Sequence, residues 1–461
     1  MKTVFITITR GILMRNILRS KAFEIFKQQK DLRIVVLIQN IYNLELPEYL
    51  VKELGGDNII FEFVPNQTIS KLQRGFNSLT NYLVFTDSSK YYLAERPELS
   101  KRINEFSFFF FSLIYKPLSK FNFLKKIARK IDLLIYKNEM IAKLFDKYNP
   151  NLVFSTAILS GMDFDILKEA KKRKIKTISM PKSWDNLDRI LFRVEPDIFL
   201  VQNENMKEQT VKHQAINPDK IKVVGFPQFD IYKEDVLTSK EAYCEKKGLD
   251  SNLPILFLGS EGIWSEGDER IFEEIILCRE RGEVKSCNIV VRPHFSIAHK
   301  NTYEKFRQYK NICIDNFFRK SNFFGDKWDP TREDQIDLTN LLYHCSALIT
   351  FASTLALDSA CFNKPVIAVA YGINFKNNKD ITEVIYKKGY YEQVAETGAP
   401  MLVYSKEELV SAINQSIENP YTRQEEVRKL RKDMCGAVDG GSGERIARFV
   451  FEYLYKQDSK D

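Results

Sequence analysis

Cysteine is absent from the first 243 residues. The seven that follow, at 244, 278, 287, 313, 345, 361 and 435, include no close pair at metal-ligand or disulfide-framework spacing. They read as reduced thiols, several of them in core positions, and a small disulfide-stapled scaffold is excluded. Long apolar runs are also missing. The longest block, Phe106 to Tyr115, is about ten residues against the 18 or more that a span needs. The run within Met1 to Thr9 is about six, short of the roughly 7 to 15 of a secretory signal, so it reads as a first strand and the cytoplasm is the expected compartment. No repeat or low-complexity tract appears beyond one phenylalanine run. Charge is modest: +8 over 461 residues makes no nucleic-acid footprint, although a local basic patch would suit anionic lipid or a phosphorylated substrate. What is present, 44% apolar and 28% charged residues, is a globular composition, and the length implies two or three domains.

Short β-branched or aromatic runs at Val4 to Thr9, Arg33 to Ile38, Asn58 to Val64, Asn151 to Thr156, Lys176 to Met180, Ile198 to Gln202 and Ile221 to Gly225 alternate with helix-like segments. This rhythm predicts a parallel sheet covered on both faces. After the first strand, Arg10 and Gly11 lead to Arg15, Arg19 and Lys21, either a solvated helix face or a turn facing a ligand cleft. Residues 106–130 join a phenylalanine block to Lys116, Lys120, Lys125, Lys126, Arg129 and Lys130. That stretch suits an element lying on an anionic membrane, or a buried helix with a solvated basic neighbour. Asp163-Phe164-Asp165 opens a helix, where acidic residues favour the dipole, and no metal site is assigned to it. The loop from Pro181 to Arg189 carries Trp184, Asp185 and Asp188 at a strand end, either functional or an Asx-type turn.

Charged text from Lys233 to Leu253 ends at Pro254, which sets the expected domains at 1–235, 236–440 and 441–461, the last a terminal helix after a Gly-rich joint. The second half restarts with the strand Ile255 to Leu258, then Gly259-Ser260-Glu261-Gly262, a small-residue turn whose N–H groups can approach a phosphate. Asn288 to Val291 leads to Arg292-Pro293-His294, a fixed cation and an imidazole at another strand end. A helix over Asp337 to His344, a buried strand over Ala347 to Thr350 and the turn Phe351-Ala352-Ser353-Thr354 come next. Ser353 or Thr354 caps the helix that follows, so its unpaired N–H groups suit phosphate, and Asp358, one helical turn on, suits ribose hydroxyls. Asn363 fits a left-handed C-cap before the strand Val366 to Ala370. These strand ends converge on one edge of one sheet if the order is doubly wound.

Two Rossmann-like halves and a terminal helix resemble the GT-B glycosyltransferase architecture. Arg292-Pro293-His294, Thr350 to Asp358 and Lys364-Pro365-Val366-Ile367 are similar to the donor-binding motifs of the CDP-glycerol glycerophosphotransferase-like group of surface-polymer transferases. Ser183 to Leu187 and Gly225 to Asp230 also look like sequences of GT-B proteins. The resemblance implies two α/β domains facing a cleft, with the C-terminal helix packed back on the N-terminal domain. It implies a UDP-, CDP- or CMP-linked donor as co-substrate, no further cofactor and no metal. Its phosphates would lie on Gly259, Ser260, Ser353, Thr354, Arg292 and His294, and its ribose on Asp358. The acceptor would be a glycan or a lipid-linked molecule, with no nucleic-acid partner. The His-Gly pair and the Asp-Tyr pair usual in teichoic-acid-type enzymes are absent, the first domain's only histidine being His213. This favours sugar transfer with a carboxylate base: Asp185 first, with Asp188 and Glu261 as rivals, and Arg292 and His294 stabilising the departing phosphate. Polyol-phosphate transfer, nucleotide-sugar epimerisation and a non-catalytic glycan- or partner-binding protein are the alternatives. The epimerases' Gly-Gly and Gln-Glu pairs are missing after Ser353.

Overall fold

The computed structural model describes residues 1–42, 44–45, 47–65, 70–90, 105–265, 267–297, 301–316, 319–373, 385–387 and 389–456. The chain divides into two compact units. The first comprises Met1–Asp230, Ser321–Pro330 and Gly441–Asp461, the second Ile231–Lys320 and Thr331–Gly440.

In the first unit the apolar runs form β1 (Lys2–Ile8), β2 (Leu32–Asn40), β3 (Ile59–Pro65), β4 (Leu152–Ser155), β5 (Lys176–Ser179), β6 (Ile198–Val201) and β7 (Ile221–Val223). Every pairing is parallel, in the order β3-β2-β1-β4-β5-β6-β7, with Val4 of β1 opposite Ile34 on one side and Leu152 on the other. Such strands bury both faces, which is why they read as nearly continuous apolar runs instead of alternating ones.

The terminal helix Ser442–Tyr455 belongs to this unit. Ile446, Ala447, Val450 and Leu454 share one core with Ala22, Phe23 and Phe26 of the helix Lys21–Lys27. Asp230 seats its start, accepting from the backbone N–H of Ser442 (3.0 Å) and of Gly443 (2.7 Å), while Arg445 Nε donates to the Val224 carbonyl at 2.7 Å. The N–H groups that a helix start leaves unpaired are thus met by a carboxylate from Gly225–Asp230. Gly443 is required by close approach: a Cβ there would lie 2.7 Å from the Ala22 nitrogen.

Residues 321–330 also belong here. Phe323 and Phe324 join the core of the unit, and Asp326 accepts from the N–H of Gly11 (2.9 Å) and Ile12 (3.3 Å), just beyond β1. Arg19 does not lie on a solvated face. Its side chain is 4% exposed and paired with Asp329 and Glu53, each at 2.5 Å, which corrects the basic-face reading for this residue.

The second unit contains β8 (Ile255–Gly259), β9 (Asn288–Arg292) and β10 (Ile312–Ile314). Next in the chain are the two-residue strands β11 (Arg319–Lys320) and β12 (Trp328–Asp329), the latter within 321–330. The second unit then continues with β13 (Ala347–Thr350), β14 (Val366–Val369) and β15 (Pro400–Val403). Its main sheet is parallel, in the order β10-β9-β8-β13-β14-β15. β15 was not expected; four residues that open on proline make a weak strand signal, yet proline is tolerated at the start of an edge strand. The helix before β13 runs over Arg332–His344, longer than expected, with Thr331 as its cap.

Candidate functional site

The order of the second sheet reverses between β8 and β13, which places a crevice outside their carboxyl ends. The two ends abut. Thr350 Oγ1 donates to the Gly259 carbonyl at 2.8 Å, and a Cβ on Gly259 would lie 2.8 Å from Leu355 Cδ1. The turn after β8 also meets the one after β9: the Ser260 N–H donates to the Arg292 carbonyl at 3.2 Å. Gly262, at φ +64°, sits so close to His294 that a Cβ would fall 2.9 Å from Nδ1. Gly259, Ser260, Arg292, His294 and Ser353 are therefore brought to one rim of one sheet, as doubly wound order requires.

The groups on this rim differ in readiness. Ser260 is turned inward: its Oγ donates to Asp268 Oδ2 at 2.6 Å and lies 2.8 Å from the Tyr303 hydroxyl, itself 2.6 Å from Asp268 Oδ1. Asp268 and Tyr303 escaped the sequence reading, since neither lies in a recognisable motif. Burial lowers His294 to about 3, so the imidazole is neutral. Its Nδ1 accepts from the Ser296 N–H at 3.2 Å, which leaves the proton on Nε2. Ser353, not Thr354, makes the capping contact, accepting from the Leu355 N–H at 3.2 Å at the head of the seven-residue helix Leu355–Cys361. Glu261 hydrogen-bonds Ser353 across the reversal point, and burial pushes its carboxyl up to about 8.

Arg292 is held from behind. Its guanidinium pairs with Asp315 at 2.6 Å and with Asp334, and Lys247 bridges Asp315 and Asp337 at 2.9 Å each. Burial opposes the cation, but Asp334 and Asp315 outweigh it and keep Arg292 above its ordinary value. For Asp315, burial is likewise overcome by Arg292 and Lys247, and its carboxyl lies below the usual range. Asp358, 8% exposed, accepts from the Tyr232 hydroxyl.

The carboxylates considered in the first half lie in the other unit. Asp185 sits in the 3-10 turn Trp184–Asn186, ion-paired with Arg189 and accepting from Asn186 Nδ2 at 3.0 Å. Burial raises Asp188, against hydrogen bonds from Ser88 and Thr86. Asp163 lies in the first turn of the helix Gly161–Lys172, as expected, and is fully buried where the first sheet reverses between β1 and β4. There it accepts from Thr7 Oγ1 (2.5 Å) and Ser155 Oγ (2.6 Å), and burial lifts it to about 6. Among the described residues no group of three or more His, Cys, Asp or Glu is placed to hold a metal ion.

Residues 152–452, well over half of the chain, match the model of the CDP-Glycerol:Poly(glycerophosphate) glycerophosphotransferase family. The chain belongs to this family. The candidate site residues named above, from Asp185 to Asp358, fall within the matched residues. No curated protein matches the sequence. Solved structures agree on the fold. UDP-GlcNAc 2-epimerase from Neisseria meningitidis superposes with a TM-score of 0.54 at 12% identity, covering 98% of this chain and 100% of its own. A glycosyltransferase from Rickettsia africae ESF-5 gives 0.52 at 13% identity, with 99% of each covered. The wall teichoic acid polymerase TagF gives 0.53 at 12% identity, covering 98% of this chain and 88% of its own. The two parallel sheets and the helix packed back on the first unit are the GT-B architecture.

Proposed function

We propose that the protein is a GT-B transferase that moves a sugar from a UDP- or CDP-linked donor to a surface-glycan or lipid-linked acceptor. The single observation that carries this reading is the meeting of the β8, β9 and β13 ends where the second sheet reverses. Small-residue turns there let backbone N–H groups approach a diphosphate. The donor phosphates lie over Gly259, Ser260, Ser353 and Thr354, with Arg292 and the Nε2–H of His294 beside them. Charge that develops on the departing phosphate is met by these fixed donors, so little reorganisation is needed as the bond breaks. Asp358 serves the ribose after exchanging its bond from Tyr232. The acceptor hydroxyl gives its proton to Asp185, which must loosen from Arg189 to act as a base. The protein works at the inner face of the cell membrane; among the described residues no helix is long and apolar enough to cross a bilayer.

Family membership favours a second reading, transfer of a polyol phosphate from a CDP-linked donor. The experiment that separates them is a thermal-shift panel with UDP, CDP, CMP, GDP and dTDP, because a ligand that binds only the native state raises its stability. A selective shift with UDP supports sugar transfer; after a shift with CDP, turnover of a CDP-linked sugar supports the first reading and turnover of CDP-glycerol the second. No shift with any of them overturns both. Asp185→Asn should abolish turnover while donor affinity stays near normal; retained turnover would remove Asp185 from the mechanism.

A further inference from the structure

The helix Asn122–Ile135 is built inside out. Its buried face carries Lys125, Arg129 and Asp132, exposed by 3%, 7% and 1%. Its outward face carries Phe123, Ile127, Ile131 and Leu134, exposed by 58%, 46%, 39% and 80% and spaced as one stripe down the helix. The inverted orientation is held by specific partners. Arg129 donates to the carbonyls of Phe192 (2.9 Å) and Gln214 (2.6 Å), and Asp132 lies 2.9 Å from Lys168, which is 2% exposed. Burying these charges is costly even when they are paired, whereas turning the helix over would bury four apolar side chains at no such cost. The preceding helix, Glu105–Leu118, adds exposed Phe109, Phe110, Leu113 and Ile114.

We propose that these two helices dock the protein on an anionic lipid bilayer, with the apolar stripe in the headgroup region and the lysines on lipid phosphates. The inference names the surface and the lipid chemistry behind the peripheral placement proposed above, and it rests on that reading. Charge complementarity selects the occupant. Residues 106–131 contain no Asp or Glu, and Lys116, Lys120, Lys126 and Lys130 are all exposed beside the apolar side chains. An apolar face flanked along these helices by exposed lysines fits a surface of negative headgroups. It disfavours a second copy of itself, because two such faces would bring like charges together. Both helices precede residue 152, so the family match does not extend to them.

The test is co-sedimentation of the full chain with phosphatidylglycerol–phosphatidylcholine vesicles and with phosphatidylcholine vesicles alone, across a salt series. Wild type should bind the anionic vesicles and release as salt rises. Lys126→Gln with Lys130→Gln should lower the partition coefficient about 25-fold, since each lysine at a charged membrane contributes roughly fivefold. Ile127→Ser with Ile131→Ser should weaken binding by about tenfold or more. All four positions are exposed, so both pairs should fold normally, and nucleotide thermal shifts should match wild type. Failure to bind anionic vesicles overturns the inference. Equal binding to neutral vesicles, insensitivity to both pairs, or a lipid-free dimer that the isoleucine pair dissociates would do the same. Vesicle binding lost while nucleotide shifts persist sinks this inference alone, and the reverse sinks the donor reading alone.

Discussion

Replacing Arg292 by alanine would do more than remove a proposed phosphate ligand. The guanidinium, 12% exposed, lies between Asp315 and Asp334, which are 2% and 4% exposed. Truncating one partner of a buried ion pair typically costs about 3–5 kcal/mol, because the other charge is left uncompensated. Asp315 keeps Lys247 at 2.9 Å, so the loss is partly offset and the lower end, about 3 kcal/mol, applies. In a unit of about 200 residues this lowers Tm by roughly 6–12 °C. Urea unfolding followed by circular dichroism measures it directly. Arg292→Ala combined with Asp334→Asn should recover part of the loss, since the carboxylate facing the missing guanidinium is then neutral, and with the two single variants it closes a double-mutant cycle that isolates the pair. An Arg292→Ala protein within about 0.5 kcal/mol of wild type would refute the reasoning, and the two ion pairs would then be surface-like in energy. A loss of nucleotide binding in Arg292→Ala is therefore to be read beside the stability measurement.

Glu261 supplies a pH test. Its folded pKa, about 8, lies above the unfolded value, so the native state binds the extra proton; the associated stability is complete below about pH 4.5 and is lost as pH rises toward 8. Glu261→Gln should remove that decline, which amounts to at most about 1.4 kcal/mol per pH unit, and its stability relative to wild type should rise from pH 5 to 8; a pH-independent difference would count against it. Asp230→Ala should cost about 1–2 kcal/mol by leaving the Ser442 and Gly443 N–H groups unpaired, seen as faster hydrogen exchange along Ser442–Tyr455, with Asp230→Asn intermediate. Asp132→Ala, which leaves buried Lys168 with the charge of Asp165 alone, should destabilise the first unit by about 3 kcal/mol in the same urea assay, and a neutral result would mean that Asp165 or water compensates Lys168 fully.

The strands were legible because a parallel sheet buries both faces and its strands are short apolar runs bounded by turns. Ala347–Thr350 lies where the sequence puts it, and Asn363 takes the left-handed conformation at φ +55°. The convergence of Gly259, Arg292 and Ser353 followed from strand order alone. What sequence could not show was partnership over distance. Arg292 beside Pro293 and His294 reads as a phosphate cation, but Asp315 and Asp334 hold it, and neither belongs to a motif. Asp326 and Asp329 meet Gly11 and Arg19 from more than 300 residues away, so nothing local marks 321–330 as part of the first unit. The helix Asn122–Ile135 shows the limit most plainly. Its periodicity separates Phe123, Ile127, Ile131 and Leu134 from Lys125, Arg129 and Asp132, yet a period carries no sign. The usual rule would turn the apolar stripe inward. The carbonyls of Phe192 and Gln214 and the ammonium of Lys168 reverse that choice, and they become neighbours only when the chain has folded. An amphipathic helix whose polar face has buried partners elsewhere must present its apolar face outward, and it is from that outward face that the membrane contact was inferred.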